Sequence, residues 1–271
     1  MTEGTHPFRD TPTTRPDVLI CAGLDPSGGA GLIADVRVVT ELGGRPVGVV
    51  TALTVQNTTA VIDTEAMSVE LIREQLEFLL SDVEVRGVKI GMIGSSELAR
   101  SIASGLALTS APVVWDPVIH PSRGDVPFVD SLFSHALAAL MPHVTLLTPN
   151  AQELGFLTGK RVASLADAIA AADAIASKFS IAVLVKGGHL ADPEESIDAI
   201  VEANKEPVLL RGRRLASGEH VHGTGCALSS AIATRLALGA ELVDACRAAK
   251  AFVADRIAHA VLPGRGAAAI V

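Results

Sequence analysis

Short apolar runs alternate with amphipathic segments rich in alanine and leucine along most of the chain. Each run is rich in β-branched residues and ends at turn residues, which predicts strands buried on both faces of a sheet. The predicted strands are Val18–Cys21, Val47–Leu53, Gly87–Ile90, Val113–Trp115, Val144–Leu147 and Ile181–Val185. The predicted helices between them are Gly31–Leu42, Ser68–Ser81, Ser95–Leu108, Val129–Leu140 and Leu165–Phe179.

The last of these helices has a clear start signal, and the pattern changes after it. We expect Ser164 to cap this helix, with Asp167 as the acidic residue at its third position. Beyond Gly188, the segments Ile197–Ala203 and Pro207–Leu215 flank a turn and predict a hairpin. Two further helices are predicted at Gly225–Leu238 and Leu242–Ala260.

This succession of elements has neither an internal repeat nor a linker long enough to separate two domains. It predicts a three-layer, doubly wound α/β fold, in which helices cover both faces of a mainly parallel sheet. We expect one domain over residues 17–271. Residues 1–16 lack the apolar segment of a signal peptide, and we expect them to form a disordered tail.

Composition limits the partners of such a domain. Hydrophobic residues are 49% and aromatic residues only 3% of the 271 residues, and the net charge is −8. These values argue against a nucleic-acid-binding module, which needs basic and stacking side chains. No uncharged apolar run reaches about 18 residues, so we expect no membrane partner. The three cysteines form no CxxC pair, which indicates a reducing compartment, the cytoplasm.

Polar or glycine-rich residues follow six of the predicted strands. Ligands of a doubly wound sheet bind beyond the carboxyl ends of its strands, so we expect these segments to share one edge and form a site. They are Gly23-Leu24-Asp25, Thr54-Val55-Gln56-Asn57, Gly91-Met92, Asp116-Pro117, Thr148-Pro149-Asn150 and Lys186-Gly187-Gly188-His189.

A glycine-rich turn, Asp25-Pro26-Ser27-Gly28-Gly29-Ala30-Gly31, joins the first strand to the first helix. Glycines let backbone amides approach a ligand, and the start of a helix attracts anions. The turn predicts a small-molecule or phosphate site, with a tightly packed structural turn as the alternative. Gly29, Gly31 and Ala34 also fit the GxGxxG/A dinucleotide fingerprint, but positions 48–55 lack the carboxylate that a nicotinamide site requires.

A second turn, His222-Gly223-Thr224-Gly225-Cys226-Ala227-Leu228, leads into an alanine-rich helix. Its amides can point at one anion, which the helix dipole also attracts. A thiol in the first turn of a helix can have a lowered pKa, so Cys226 is a candidate base or nucleophile. A buried cysteine that only packs is the alternative. His220, His222 and Cys226 suggest a metal site only weakly, because no fourth ligand follows at a zinc-like spacing.

Charged side chains at three strand ends complete the candidate chemistry. Asp116 ends a buried strand, where a carboxylate needs a hydrogen bond or a cation. Glu153 either closes a capping box with Asn150 or joins Asp116 in binding Mg²⁺. Lys186 precedes two glycines and suits an anion, with a paired lysine as the alternative. Together with the helix start, these groups are the parts of a phosphoryl-transfer site.

The ordered set of motifs resembles the hydroxymethylpyrimidine/phosphomethylpyrimidine kinases of thiamine biosynthesis, which have the ribokinase-like fold. The resemblance covers about Asp17 to Ala260. It implies phosphorylation of 4-amino-5-hydroxymethyl-2-methylpyrimidine and then of its monophosphate, with ATP as co-substrate and Mg²⁺. The motifs are Ala22-Gly23-Leu24-Asp25-Pro26-Ser27-Gly28-Gly29-Ala30-Gly31, Thr51-Ala52-Leu53 with Gln56-Asn57-Thr58, Lys89-Ile90-Gly91-Met92, Asp116-Pro117-Val118, Leu147-Thr148-Pro149-Asn150, Lys186-Gly187-Gly188-His189 and His222-Gly223-Thr224-Gly225-Cys226.

The same resemblance implies where the pyrimidine binds. It would lie over the first glycine-rich turn, at Asp25, with the amide of Gln56 on the polar edge of the ring. Ala30, Met92 and Val118 would line this pocket.

For the phosphoryl end, the resemblance implies an anion hole formed by the amides of Gly223-Thr224-Gly225-Cys226. Cys226 takes the position where many sugar kinases of the wider superfamily carry an aspartate base. Asp116 and Glu153 would organise Mg²⁺. The residues expected at ATP are Lys186, Gly188, Asn150 and Lys250.

One departure lies in the segment expected to cover the site, where Ser122-Arg123-Gly124-Asp125 replaces the family's Lys-Ser-Gly-Asp. The alternative functions are a pyridoxal/pyridoxine kinase on the same fold, a nicotinamide-dependent oxidoreductase and a non-catalytic ligand sensor. Gln56 and Met92 favour a pyrimidine over pyridoxal. A homodimer is compatible with the sequence, although no residue identifies its interface.

Overall fold

The computed structural model describes residues 15–119, 133–188 and 194–270. The strands within these residues, numbered along the chain, are β1 (Asp17–Leu24), β2 (Arg45–Gln56), β3 (Val61–Ala66), β4 (Val85–Ile90), β5 (Val113–Trp115), β6 (Leu146–Leu147), β7 (Ala182–Val185), β8 (Glu195–Val201), β9 (Val208–Arg213), β10 (Val221–His222) and β11 (Ala268–Ala269). The helices are α1 (Gly31–Glu41), α2 (Val69–Leu80), α3 (Ser96–Leu106), α4 (Phe133–Leu140), α5 (Ala151–Thr158), α6 (Leu165–Phe179), α7 (Thr224–Ala237) and α8 (Leu242–Ala258).

The main sheet of the described residues has the strand order β3-β2-β1-β4-β5-β6-β7-β8-β9. Strands β2, β1, β4, β5, β6 and β7 run parallel to one another, whereas β3 pairs antiparallel with β2, β8 with β7, and β9 with β8. After β1 the chain forms β2 on one side of β1, and it later returns to form β4 on the other side of β1. The carboxyl ends of β1 and β4 therefore flank the position where such folds bind ligands.

Helices cover both faces of the sheet, which confirms the predicted three-layer α/β fold. Side chains alternate along β1, so that Val18 and Ile20 pack with α1, α7 and α8, whereas Leu19 and Cys21 pack with the core under α2–α6. Both cores consist mainly of aliphatic side chains, and this explains how the chain folds with so few aromatic residues.

Local sequence signals predicted several of the helices and strands correctly. The side chain of Ser164 accepts from the Asp167 amide, and Asp167 closes a capping box, as predicted. The predicted hairpin is confirmed by the pairing of β8 with β9. Strand β2 continues three residues past its predicted end to Gln56, and the edge strand β3 was not predicted.

Some predictions lie outside the described residues. These are the tail at 1–14, the covering segment Ser122-Arg123-Gly124-Asp125, the start of the helix predicted at Val129, and His189. Among the helices that are described, none combines the length and apolarity needed to cross a membrane.

Candidate active site

A cavity of about 750 Å³ lies at the carboxyl edge of the parallel strands. The strand ends and the two glycine-rich turns surround it, as the topology requires. The cavity is lined by each residue that the sequence analysis assigned to catalysis, substrate, ATP or metal: Asp25, Ala30, Gln56, Met92, Val118, Asp116, Asn150, Glu153, Lys186, Gly188, Gly223, Thr224, Gly225, Cys226 and Lys250.

The first glycine-rich turn is held by the carboxylate of Asp25. The Ser27 amide donates to its Oδ1 at 2.8 Å, and the Ala30 amide donates to its Oδ2 at 3.0 Å. Burial opposes ionisation of Asp25, but the contacts with His222 and Ser27 prevail and lower its pKa. Asp25 therefore shapes the turn as a buried anion, in addition to lining the cavity.

The two glycine-rich turns meet backbone to backbone. Gly223 precedes α7 and has a φ of 81°, a left-handed conformation. A Cβ atom on Gly223 would lie 1.9 Å from the carbonyl oxygen of Gly29, so only glycine fits this contact. The approach places the start of α7, with its free amide donors, beside the first turn in one cleft.

A cation and two carboxylates lie opposite the start of α7. The Nζ atom of Lys186 is 2.6 Å from Oδ1 of Asp116 and 3.5 Å from Oε2 of Glu153. The alternative of a paired lysine is thus seen in the structure, because the neighbouring strand ends supply two partners for Lys186. Burial disfavours the charge of Lys186, but the carboxylates outweigh it and raise its pKa.

Glu153 serves two purposes at once. Its Oε2 accepts from the Asn150 amide at 2.7 Å, and Oδ1 of Asn150 accepts from the Glu153 amide at 2.8 Å, which completes a capping box on α5. Burial, reinforced by the nearby charge of Asp116, raises the pKa of Glu153 although Lys186 opposes the shift. The capping alternative and the cavity-lining role are therefore both seen in this side chain.

The pKa of the Cys226 thiol differs from the prediction made from the sequence. Burial, reinforced by the negative charges of Asp35 and Asp116, raises its pKa to about 11, although Lys89 and the Gly31 amide act in the opposite direction. The expectation of a lowered pKa is therefore wrong. The position in the first helical turn favours the thiolate, but the desolvation of the sulfur and its acidic neighbours outweigh that effect.

The side-chain amide of Gln56 contacts two neighbours, Thr54 and His222. Its Nε2 atom lies 3.2 Å from Nε2 of His222, and its Oε1 atom lies 3.2 Å from Oγ1 of Thr54. His222 is also 3.7 Å from Oδ2 of Asp25. Since Gln56 is the last residue of β2, the sheet fixes where its side chain starts.

The remaining predicted residues, Lys250 and Gly188, line the cavity together with Asp198. Lys250 on α8 donates to Oδ2 of Asp198 at 2.7 Å, and the Gly187 amide donates to Oδ1 of Asp198 at 2.9 Å. Gly188 follows directly on this backbone and lines the cavity. The lysine is therefore anchored to β8 beside the end of β7.

Sequence reasoning gave no role to several residues that line the cavity, among them His222, Lys89 and Asp198. His222 lies in the motif before α7, and its position one residue ahead of the glycine turn was a usable signal. Lys89 is fully buried in β4 and lines the cavity. A charged residue inside an apolar strand was the signal in that case. Among the described residues, no three histidine, cysteine or acidic side chains lie close enough together to hold a metal by themselves.

Sequence comparisons with known proteins identify one family. The sequence model of phosphomethylpyrimidine kinase matches residues 25–270. The hydroxymethylpyrimidine/phosphomethylpyrimidine kinase of Streptomyces coelicolor is 40% identical over 246 residues, which are 91% of this chain and 90% of that protein.

Solved structures support the same fold. A phosphomethylpyrimidine kinase from Clostridium difficile superposes with a TM-score of 0.74 at 30% identity, over 90% of this chain and 99% of that one. The pyridoxal kinase from Staphylococcus aureus in complex with AMP-PCP has a TM-score of 0.85 at 28% identity, over 94% and 93% of the two chains.

Proposed function

The chain belongs to the phosphomethylpyrimidine kinase family, and we propose that it transfers phosphate from ATP to 4-amino-5-hydroxymethyl-2-methylpyrimidine and then to the resulting monophosphate, in thiamine biosynthesis. It is a kinase with the ribokinase-like fold. The observation that supports these steps most directly is the contact between Gly29 and Gly223, which brings a substrate turn and an anion-binding helix start into one cleft. The fold alone does not distinguish a pyrimidine from pyridoxal, since the pyridoxal kinase shares it. The identity to the pyrimidine kinases favours the pyrimidine.

The pyrimidine binds over the first turn. Gln56 hydrogen-bonds the polar edge of the ring, and Asp25 keeps the turn in shape beneath it. The apolar sides of the pocket come from Ala30, Met92 and Val118, which line the same cavity. A pocket of this kind combines apolar walls with a few polar groups that fix orientation.

The triphosphate lies between the start of α7 and the ends of β6 and β7. The amides of Gly223-Thr224-Gly225-Cys226 face the transferred phosphoryl group, where their dipoles stabilise negative charge. In the transfer step the hydroxyl oxygen forms a bond to the γ-phosphorus, and the bond from that phosphorus to the β–γ bridging oxygen breaks. ADP leaves with the electron pair, and the thiolate of Cys226 takes the hydroxyl proton. The residues proposed to contact ATP are Lys186, Gly188, Asn150 and Lys250.

Asp116 and Glu153 fit a magnesium ion. Mg²⁺ binds through one or two carboxylates together with phosphate oxygens and water, and these buried carboxylates line the cavity beside Lys186. When bound, Mg²⁺ neutralises charge on the phosphates and orients them. Asp116 and Glu153 would hold the metal ion, and Lys186 balances their charges.

The purified protein tests the proposal in a coupled assay of ADP release. We expect turnover of the pyrimidine alcohol with ATP and Mg²⁺, and then of its monophosphate, above the rate of ATP hydrolysis without substrate. The rate with pyridoxal, measured at the same concentrations, identifies the preferred ring. The absence of substrate-dependent ADP release would refute the proposed function.

Replacing Gln56 by alanine is expected to weaken substrate binding more than turnover. The loss of one hydrogen bond to a desolvated polar edge costs about 1–3 kcal/mol, which corresponds to a rise in KM of roughly fivefold to 150-fold. Steady-state kinetics with the pyrimidine measures this change, and Gln75→Ala on the exposed face of α2 is a matched control. A KM within about twofold of wild type would mean that the ring binds in another pose.

Replacing Glu153 by glutamine is expected to raise the Mg²⁺ concentration for half-maximal activity by about tenfold. Glutamine can still close the capping box, so the change removes charge and leaves the helix start intact. Asp167→Asn, which alters the exposed capping box of α6, is the matched control. An unchanged Mg²⁺ titration for Glu153→Gln would assign this side chain to capping alone.

A further inference from the structure

A buried ammonium group forms part of the floor of the cleft. Lys89 is near the carboxyl end of β4, next to β1, and its side chain has no solvent exposure. A Cβ atom on Gly91 would lie 2.7 Å from its Nζ, so the charge lies directly beneath the strand end. Lys89 lines the same cavity as Cys226 and Met92.

Two helices hold this ammonium in place. Its Nζ donates to Oδ2 of Asp35 on α1 at 2.5 Å, and Oγ of Ser230 on α7 donates to Oδ1 of the same carboxylate at 2.7 Å. Asp35 and Ser230 are fully buried as well. Ser230 lies four residues after Cys226, on the same side of α7, so this network lies one turn below the thiol.

The ammonium of Lys89 has donor capacity beyond its hydrogen bond to Asp35. It carries three N–H groups, and Asp35 is its hydrogen-bond acceptor within the part of the chain that the structure describes. Burial disfavours the charge, but Asp35, Cys226 and Asp116 together outweigh this effect and raise the pKa of Lys89, which keeps the side chain protonated.

Stability does not explain such an arrangement well. The desolvation of a buried ion pair costs about as much as its attraction returns, and apolar side chains of similar volume often give equal or better stability. The surrounding core on this side of the sheet is apolar, with Ile20, Val114 and Ala227 among its members. The charge is instead well placed for a site in which negative charge develops.

We propose that Lys89 is a positioning residue for phosphoryl transfer: fixed by Asp35 and Ser230, it supplies a permanent positive charge beneath Cys226 that stabilises the negative charge developing in the cleft as the hydroxyl loses its proton. This inference rests on the proposed function. The charged side chains that act on the thiol from the surrounding elements are Lys89, Lys186, Asp35 and Asp116. Of the two lysines, Lys186 is paired with Asp116 and Glu153, whereas Lys89 is paired with Asp35 beneath the thiol.

The double variant Asp35→Asn/Lys89→Met tests the proposal. It removes both charges, keeps similar volumes and leaves an acceptor for Ser230, so we expect it to fold with a melting temperature near that of wild type. We expect kcat to fall about 100-fold and KM for the pyrimidine to change less than about threefold. A kcat within about threefold of wild type would show that the pair only fills the core.

Two single variants test whether Lys89 only neutralises the charge of Asp35 or also contributes to catalysis. Lys89→Met leaves Asp35 as an unpaired buried charge and is expected to be less stable than the double variant. If the double variant regains wild-type kcat relative to Lys89→Met, Lys89 serves only to neutralise Asp35 and the proposal fails. Ser230→Ala keeps both charges and is expected to lower kcat by about threefold to tenfold. An unchanged kcat for Ser230→Ala would refute the role given to Ser230.

A readout independent of turnover distinguishes this proposal from the proposed function. Alkylation of Cys226 by iodoacetamide requires the thiolate, and mass spectrometry separates this residue from Cys21 and Cys246. We expect the double variant to react more slowly than wild type at about pH 8, because Lys89 lowers the pKa of the thiol more than Asp35 raises it. Equal rates would overturn the role of Lys89 even if the wild-type protein phosphorylated no pyrimidine, whereas slower alkylation without turnover would refute the proposed function alone.

Discussion

Replacing Gly223 by alanine is expected to lower kcat by about 100-fold, since displacing reacting groups by about 1 Å can cost that much. The added Cβ would lie 1.9 Å from the carbonyl oxygen of Gly29, well inside contact distance. The two turns must move apart to relieve this clash. The substrate hydroxyl and the phosphoryl group, which the two turns carry, would then no longer be aligned.

Gly239 offers a matched control at the other end of α7. Its φ of 88° is as strained for alanine as the 81° of Gly223, but a Cβ there meets no atom within 4 Å. Both variants should lose about 1–2 kcal/mol of unfolding free energy through the left-handed backbone. Gly223→Ala should lose more because of the clash with Gly29, and only this variant should lose activity. Denaturant unfolding and kcat measured on both proteins test this. A Gly223→Ala enzyme with more than about a third of the wild-type kcat would contradict the assembled cleft.

Much of the fold could be predicted because its signals are local. The buried strands are continuous apolar runs, and helix α6 begins at Ser164 with Asp167 closing the box. The parallel sheet follows from the alternation of strands and helices, since parallel neighbours need a crossover. That topology brings the strand ends to one edge, which is why residues far apart in sequence could be assigned to one site.

The pairing of charges could not be predicted in the same way. Lys186 meets Asp116 and Glu153 only because β5, β6 and β7 are neighbours in the sheet, and nothing in the sequence fixes their side-chain directions. Lys89 and Asp35 are paired across 54 positions. The edge strand β3 was missed because most of its side chains, Asp63 and Glu65 among them, are exposed, and the strand lacks the apolar run that marks a buried strand.

The pKa of the Cys226 thiol could not be predicted from the sequence either. A helix start lowers the pKa of a thiol when the sulfur is solvated, and the sequence shows the helix start. Burial and the charges that surround the sulfur depend on three other elements, and together they raise the pKa to about 11. A base with this pKa is nearly all protonated at neutral pH, so its contribution to catalysis must depend strongly on pH.

Replacing Cys226 by alanine is therefore expected to lower kcat by about 100-fold and to change KM for the pyrimidine much less, as for loss of a general base. Because the pKa lies near 11, the thiolate fraction of the wild-type enzyme should grow about tenfold per pH unit below that value, and kcat should rise with it. The alanine variant should lose this rise. Profiles of kcat against pH for both proteins measure it.

Cys246→Ala is the control for the loss of a buried thiol, since burial raises the pKa of Cys246 to about 12. Its sulfur lies in the core beneath α8, so its removal should leave the pH profile unchanged. If Cys226→Ala kept both its kcat and the rise with pH, the thiol would be a bystander. The amides at the start of α7 would then carry the stabilisation, and the Gly223→Ala result would decide how much of the rate they supply.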